Sequence, residues 1–106
     1  MSDERRAHPR APGALEGSWS GSVRRCRVTS LSLSGCFIET MALPQPGSRV
    51  SVELHVLDQE SIPIEGEVVD SDQGMGFSMR FGDLTPETRE RLTRVVDTLF
   101  RAHDLP

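Results

Sequence analysis

GMGFSMRFGDLTPETRERLTRVVDTLF, residues 74–100, changes its period once, and that change decides the fold. Met75, Phe77, Met79 and Phe81 alternate with Gly76, Ser78 and Arg80, the two-residue period of a strand with one apolar face. Past Gly82 the period becomes helical. Thr85 is placed as an N-cap, Pro86 suits the first helical position, and Glu87 suits the positive end of the helix dipole. Leu92, Val95, Val96, Leu99 and Phe100 then recur at i, i+3, i+4, i+7 and i+8, which makes one apolar stripe. Arg89, Arg91 and Arg94 fall mostly off it.

Working back from this switch, the chain reads as short strands separated by turns. Ile62, Ile64 and Val68 carry an alternating pattern after a turn around DQES. Val50, Val52, Leu54 and Val56 alternate with Ser51, Glu53 and His55, the clearest two-residue period in the chain. MALPQPGS, residues 41–48, is a loop with two prolines. CFIET, residues 36–40, is a third strand, with Gly35 breaking the pattern before it. Residues 23–30 form a second strand, with Cys26 and Val28 on one face and Arg25 and Arg27 on the other, after a turn at Gly21 and Ser22. GALEGSW, residues 13–19, is a weaker first strand. Residues 1–13 are polar and punctuated by Pro9, Pro12 and Gly13, the composition of a flexible segment, leaving one domain over residues 14–102. The expected fold is mainly β: a small six-stranded antiparallel barrel whose open end or side is covered by the C-terminal amphipathic helix.

The 106 residues suffice for one modest core. No run approaches the length of a membrane span, and the N-terminus lacks the apolar stretch of a signal peptide, so the expected location is the cytoplasm, without membrane insertion. Cys26 and Cys36 lie on separate apolar segments, in no CxxC and near no histidine pair, and read as free thiols.

Charge is informative by position. Residues 1–27 hold six arginines against three acids, a balance of +3, while the remaining 79 residues hold six arginines against thirteen acids, a balance of −7. A basic N-terminal sector on an acidic body suits a compact anionic ligand better than a nucleic acid, which needs a broad basic face. Single-stranded nucleic acid also calls for exposed stacking aromatics, and the chain has no Tyr, one Trp, and Phe residues that alternate with the core. Enzymatic readings fail on inventory. His8, His55 and His103 are scattered, no HxH, HExxH or GxSxG occurs, and Glu65 and Glu67 alternate with apolar residues on a solvent face. No metal or cofactor is expected.

What remains is arginine and serine. RRAHPR, residues 5–10, is followed by SLSLSGCFIET, residues 30–40, and then by the strand-to-helix stretch. Together these resemble the PilZ domain family, six-stranded barrels that bind cyclic di-GMP. The family carries RxxxR in its N-terminal segment, matched by Arg6 and Arg10, and (D/N)xSxxG at the end of the second strand, matched at Ser32 and Gly35. Ser30 stands where the family has Asp or Asn, and it offers one shorter acceptor where a carboxylate or amide reaches a guanine edge. The resemblance covers about residues 4–100. It implies a cyclic di-GMP site at Arg5, Arg6, Arg10, Ser30, Ser32 and Gly35, with Arg5 an added contact and no role assigned to Ser34. It also implies a receptor that passes its state to a partner protein. A second reading is a module of the same fold that has lost the ligand through Ser30 and acts by protein contact alone.

Arginine suits this chemistry. Its fork meets phosphate oxygens or the O6/N7 edge of guanine, and its plane stacks on a purine. A glycine at position 35 lets the backbone approach closely.

Overall fold

The computed structural model describes residues 8–56 and 61–104. Six strands and one helix follow in order: β1 Ala14–Trp19, β2 Cys26–Thr29, β3 Gly35–Glu39, β4 Arg49–His55, β5 Ile62–Asp72, β6 Gly76–Phe81 and α1 Pro86–Asp104. The strands close a barrel in the order β1-β2-β3-β6-β5-β4, with β4 paired back to β1 and every pairing antiparallel. This is the expected architecture.

Alternation along each strand fills the interior. Val28, Ile38, Val52, Leu54, Ile62, Ile64, Val68, Phe77 and Met79 are all buried to within a few per cent. Trp19 meets Phe77 edge to face, with ring centroids 4.8 Å apart and planes at 64°. The apolar stripe of α1 joins this same core through Leu92, Val95 and Val96, with Leu99 and Phe100 packed partly against it. Thr85 caps the helix as its position predicts: its Oγ1 accepts the Thr88 N–H at 3.1 Å. Leaving such an apolar stripe exposed would cost about 1.5–3 kcal/mol for each large side chain.

Several boundaries differ from the sequence expectation, each for a physical reason. The second strand begins at Cys26 rather than residue 23, and Val23 is fully exposed, because β1 pairs with β2 only as far as Gly17 opposite Cys26. Gly35 opens β3 instead of interrupting the chain before it; it pairs with Arg80, and a Cβ there would strike the Met79 carbonyl oxygen. Met75 is outside β6 and exposed. Asp72 pairs with Gly76, so residues 73–75 form a three-residue hairpin loop with Gly74 at φ +81°, a conformation glycine adopts without strain.

The fifth strand is longer than expected and bends. Its first half pairs with β4 and its second half with β6. A bulge falls between: Val68 opposes Met79 and Asp70 opposes Ser78, leaving Val69 as the extra residue. The turn expected around DQES lies mostly outside the described residues.

Candidate functional site

The (D/N)xSxxG stretch is a turn whose three serines are placed differently. Ser30 follows β2 directly and lies in the left-handed region at φ 52°, the only described non-glycine residue with positive φ. Leu31 points into the core, and its carbonyl accepts the Ala11 N–H at 2.7 Å. Ser32 is buried. Its backbone N–H donates to the Gly35 carbonyl at 2.9 Å, while its Oγ accepts the Ser34 and Gly35 N–H groups at 3.1 and 3.2 Å. Ser34 is exposed, with its Oγ 3.2 Å from that of Ser32. The Ser34 carbonyl accepts the Phe81 N–H at 2.8 Å, fastening the turn to β6.

Over this turn, on the outer face of the barrel, lies a cavity of about 900 Å³. That is within the range of small-molecule sites, roughly 300–1,000 Å³. His8, Pro9 and Arg10 form one wall, the turn from Ser30 to Gly35 a second, and the outer faces of β5 and β6 a third. The cavity therefore brings together Arg10, Ser30, Ser32 and Gly35, four of the six residues expected at the site. Arg5 and Arg6 lie outside the described residues.

The N-terminal segment is seated at its end nearest the barrel. Ala11 is 3% exposed and tied to Leu31, so Arg10 projects from an anchored backbone beside the turn. Arg10 itself is exposed and makes no hydrogen bond or ion pair with a described residue.

Among the cavity residues not singled out from the sequence as site residues are Val69, Asp70, Ser78 and Arg80. Ser78 and Arg80 were legible as the polar face of the last strand. Arg80 lies 3.5 Å from Glu67 across the β5–β6 pair, both side chains well exposed. Val69 and Asp70 face the cavity because of the bulge, whose only trace in the sequence is the paired Val68–Val69 that breaks alternation.

The cavity offers cationic forks, hydroxyls and one carboxylate. Cys36 also borders it but is no nucleophile: burial pushes its thiol up to about 12, with Cys26 adding a smaller effect in the same direction. Among the described residues no cluster of three or more His, Cys, Asp or Glu is arranged to hold a metal ion. No helix among them is long and apolar enough to cross a membrane.

A barrel of this strand order, closed by a C-terminal helix and carrying its polar cavity at the β2–β3 turn, is the PilZ architecture. The PilZ domain model matches residues 4–98, and the chain belongs to that family. Its fold is similar to the PilZ domain of YcgR from Escherichia coli, solved with c-di-GMP. The TM-score is 0.71 at 19% identity, over 93% of this chain and 94% of that one. It is also similar to the Bacillus subtilis inhibitor of motility, MotI/DgrA, with a TM-score of 0.75 at 14% identity over 95% of this chain. The chain spans about half, 53%, of that structure. No curated protein sequence matches it.

Proposed function

We propose that the chain is a cyclic di-GMP receptor that relays the level of this second messenger to a partner protein. The observation that carries the reading is the convergence of Arg10, Ser30, Ser32 and Gly35 on one cavity. Two phosphodiester charges and two purines call for the groups gathered there. Arg10, joined by Arg6 and Arg5 upstream, forks onto phosphate oxygens or a guanine O6/N7 edge and lays its plane on a purine. Ser34 and Ser30 offer hydroxyls from the turn. Ser32 acts one step back, holding the turn in shape. The role is that of a receptor and not an enzyme, since the lining groups hold an anionic purine ligand and present no activated nucleophile.

Relay follows from the connection between the two walls. Ala11 is hydrogen-bonded to Leu31, the residue after Ser30, so a ligand gripped by Arg10 and the turn draws on both ends of one bond. Fixing the arginine segment against the barrel changes the surface that a cytoplasmic effector meets.

Thermal denaturation with cyclic di-GMP tests the reading. At a ligand concentration of about 100 times Kd, linkage stabilises the fold by about 2.7 kcal/mol. That corresponds to a rise in Tm on the order of 10 °C for a domain of this size. An unchanged Tm at about millimolar ligand, a concentration at which binding at millimolar Kd or tighter registers, contradicts it. That result would favour the interaction module that has lost its ligand.

A further inference from the structure

Asp70 is the one carboxylate among the described residues lining a cavity suited to an anion. Strict alternation after the buried Val68 would send Val69 outward and Asp70 into the core. The bulge resets the strand so that both are exposed on the cavity side. Nothing described uses the carboxylate. Asp70 forms no hydrogen bond or ion pair with a described residue, and the nearby cation Arg80 lies instead against Glu67 at 3.5 Å. An unpaired carboxylate facing a phosphodiester would be repulsive. It becomes favourable where a ligand presents donors, because an ionised carboxylate only accepts.

Guanine presents such donors side by side, N1–H and the exocyclic N2 amino group, matching the two oxygens of a carboxylate. Ser30, with one hydroxyl on a left-handed turn residue, cannot meet both. We propose that Asp70 reads the N1–H/N2–H edge of one guanine and is the base-selecting residue of this cavity. The inference rests on the cyclic di-GMP reading and sharpens it. Hypoxanthine, which lacks the 2-amino group, keeps one of the two hydrogen bonds. Adenine turns the N1 lone pair toward the carboxylate and is rejected.

Calorimetric titration of the whole chain with cyclic di-GMP, its inosine counterpart and cyclic di-AMP tests this, using the parent protein, Asp70→Ala and Asp70→Asn. The parent should prefer the guanine ligand over the inosine ligand by about tenfold, the scale of one hydrogen bond to a charged group, and bind the adenine ligand weakest. In Asp70→Ala the guanine-over-inosine preference should fall to nearly one. Asp70→Asn should lose most of it, because an amide accepts through one atom only. If both variants bind all three ligands more tightly and equally so, Asp70 merely repels phosphate and the proposal is overturned. Equal weakening toward all three ligands also overturns it. If the variants keep the parent's preference, base selection lies elsewhere while the receptor reading stands. If the parent binds none of the three, both readings fall.

Discussion

Ser32 and Gly35 hold each other: the Ser32 N–H donates to the Gly35 carbonyl at 2.9 Å, and the Gly35 N–H donates back to Ser32 Oγ at 3.2 Å. The two motif residues therefore build the turn before any ligand arrives. Ser32→Ala leaves the Ser34 and Gly35 amides without their acceptor inside a part-buried turn and should cost about 1–3 kcal/mol in the unliganded protein. Urea denaturation measures this. A change within about 0.5 kcal/mol would mean the hydroxyl is not the clasp.

Gly35→Ala should be worse, by more than about 2 kcal/mol, since its Cβ would run into the Met79 carbonyl and push β3 from β6. Gly82→Ala is the matched control. There the added Cβ would sit 3.5 Å from the Glu65 carbonyl oxygen, an ordinary contact, and stability should hardly move. Equal denaturation midpoints for the two variants would contradict the close approach at Gly35.

Ser30 bears backbone strain at φ 52°, where Asn and Asp are enriched and glycine is free. Ser30→Asn and Ser30→Gly should each raise unliganded stability by about 0.5–1 kcal/mol. A family preference for Asp or Asn at this position thus has a conformational cause besides any ligand contact. Ser30→Asn should in addition tighten cyclic di-GMP binding by about tenfold, whereas Ser30→Gly should not. Loss of stability in both variants would show that the turn does not need the left-handed residue.

The buried Cys36 thiol, pushed up to about 12 from 9.0, stays protonated in the fold where the unfolded chain ionises. Its contribution is complete below about pH 9. Between about 9 and 12 the unfolded state holds fewer protons, so stability should fall by about 1.4 kcal/mol per pH unit on this account. Cys36→Ser or Cys36→Val should flatten that alkaline slope in denaturant titrations. Alkylation at pH 8 should modify Cys26 slowly and leave Cys36 untouched. Rapid labelling of Cys36 in the folded protein would contradict its protonated, buried state.

Much of this was legible in the sequence, because it rests on local periodicity. Val50, Val52 and Leu54 show their strand by alternation, and Thr85 and Pro86 show the start of α1 without any partner in view. What was not legible depends on a second strand. Met75 continues the apolar alternation of Phe77 and Met79, yet it lies in the hairpin because pairing with Asp72 begins at Gly76. Ser32 sits in the family motif and was expected at the ligand, but its hydroxyl is engaged by two backbone amides three residues or fewer away. Asp70 reads as an ordinary surface acid until the bulge sets its direction. The wall formed by Arg10 was legible by family resemblance alone, since RxxxR in a proline-rich segment has no local structural signature.

The central claim is tested most directly by titrating the parent and Arg10→Ala with cyclic di-GMP at equilibrium, with the unliganded stability of both measured alongside. Arg10 is exposed and unpaired among the described residues, so removing it should change stability by less than about 0.5 kcal/mol. The same change should weaken binding by at least about 2 kcal/mol, some thirtyfold in Kd, through a lost charge-assisted contact. Arg10→Lys should recover part of it, keeping the charge but neither the fork nor the stacking plane. Binding that is unchanged in a folded Arg10→Ala protein, or absent from the folded parent at about millimolar ligand, would contradict a cyclic di-GMP site in this cavity.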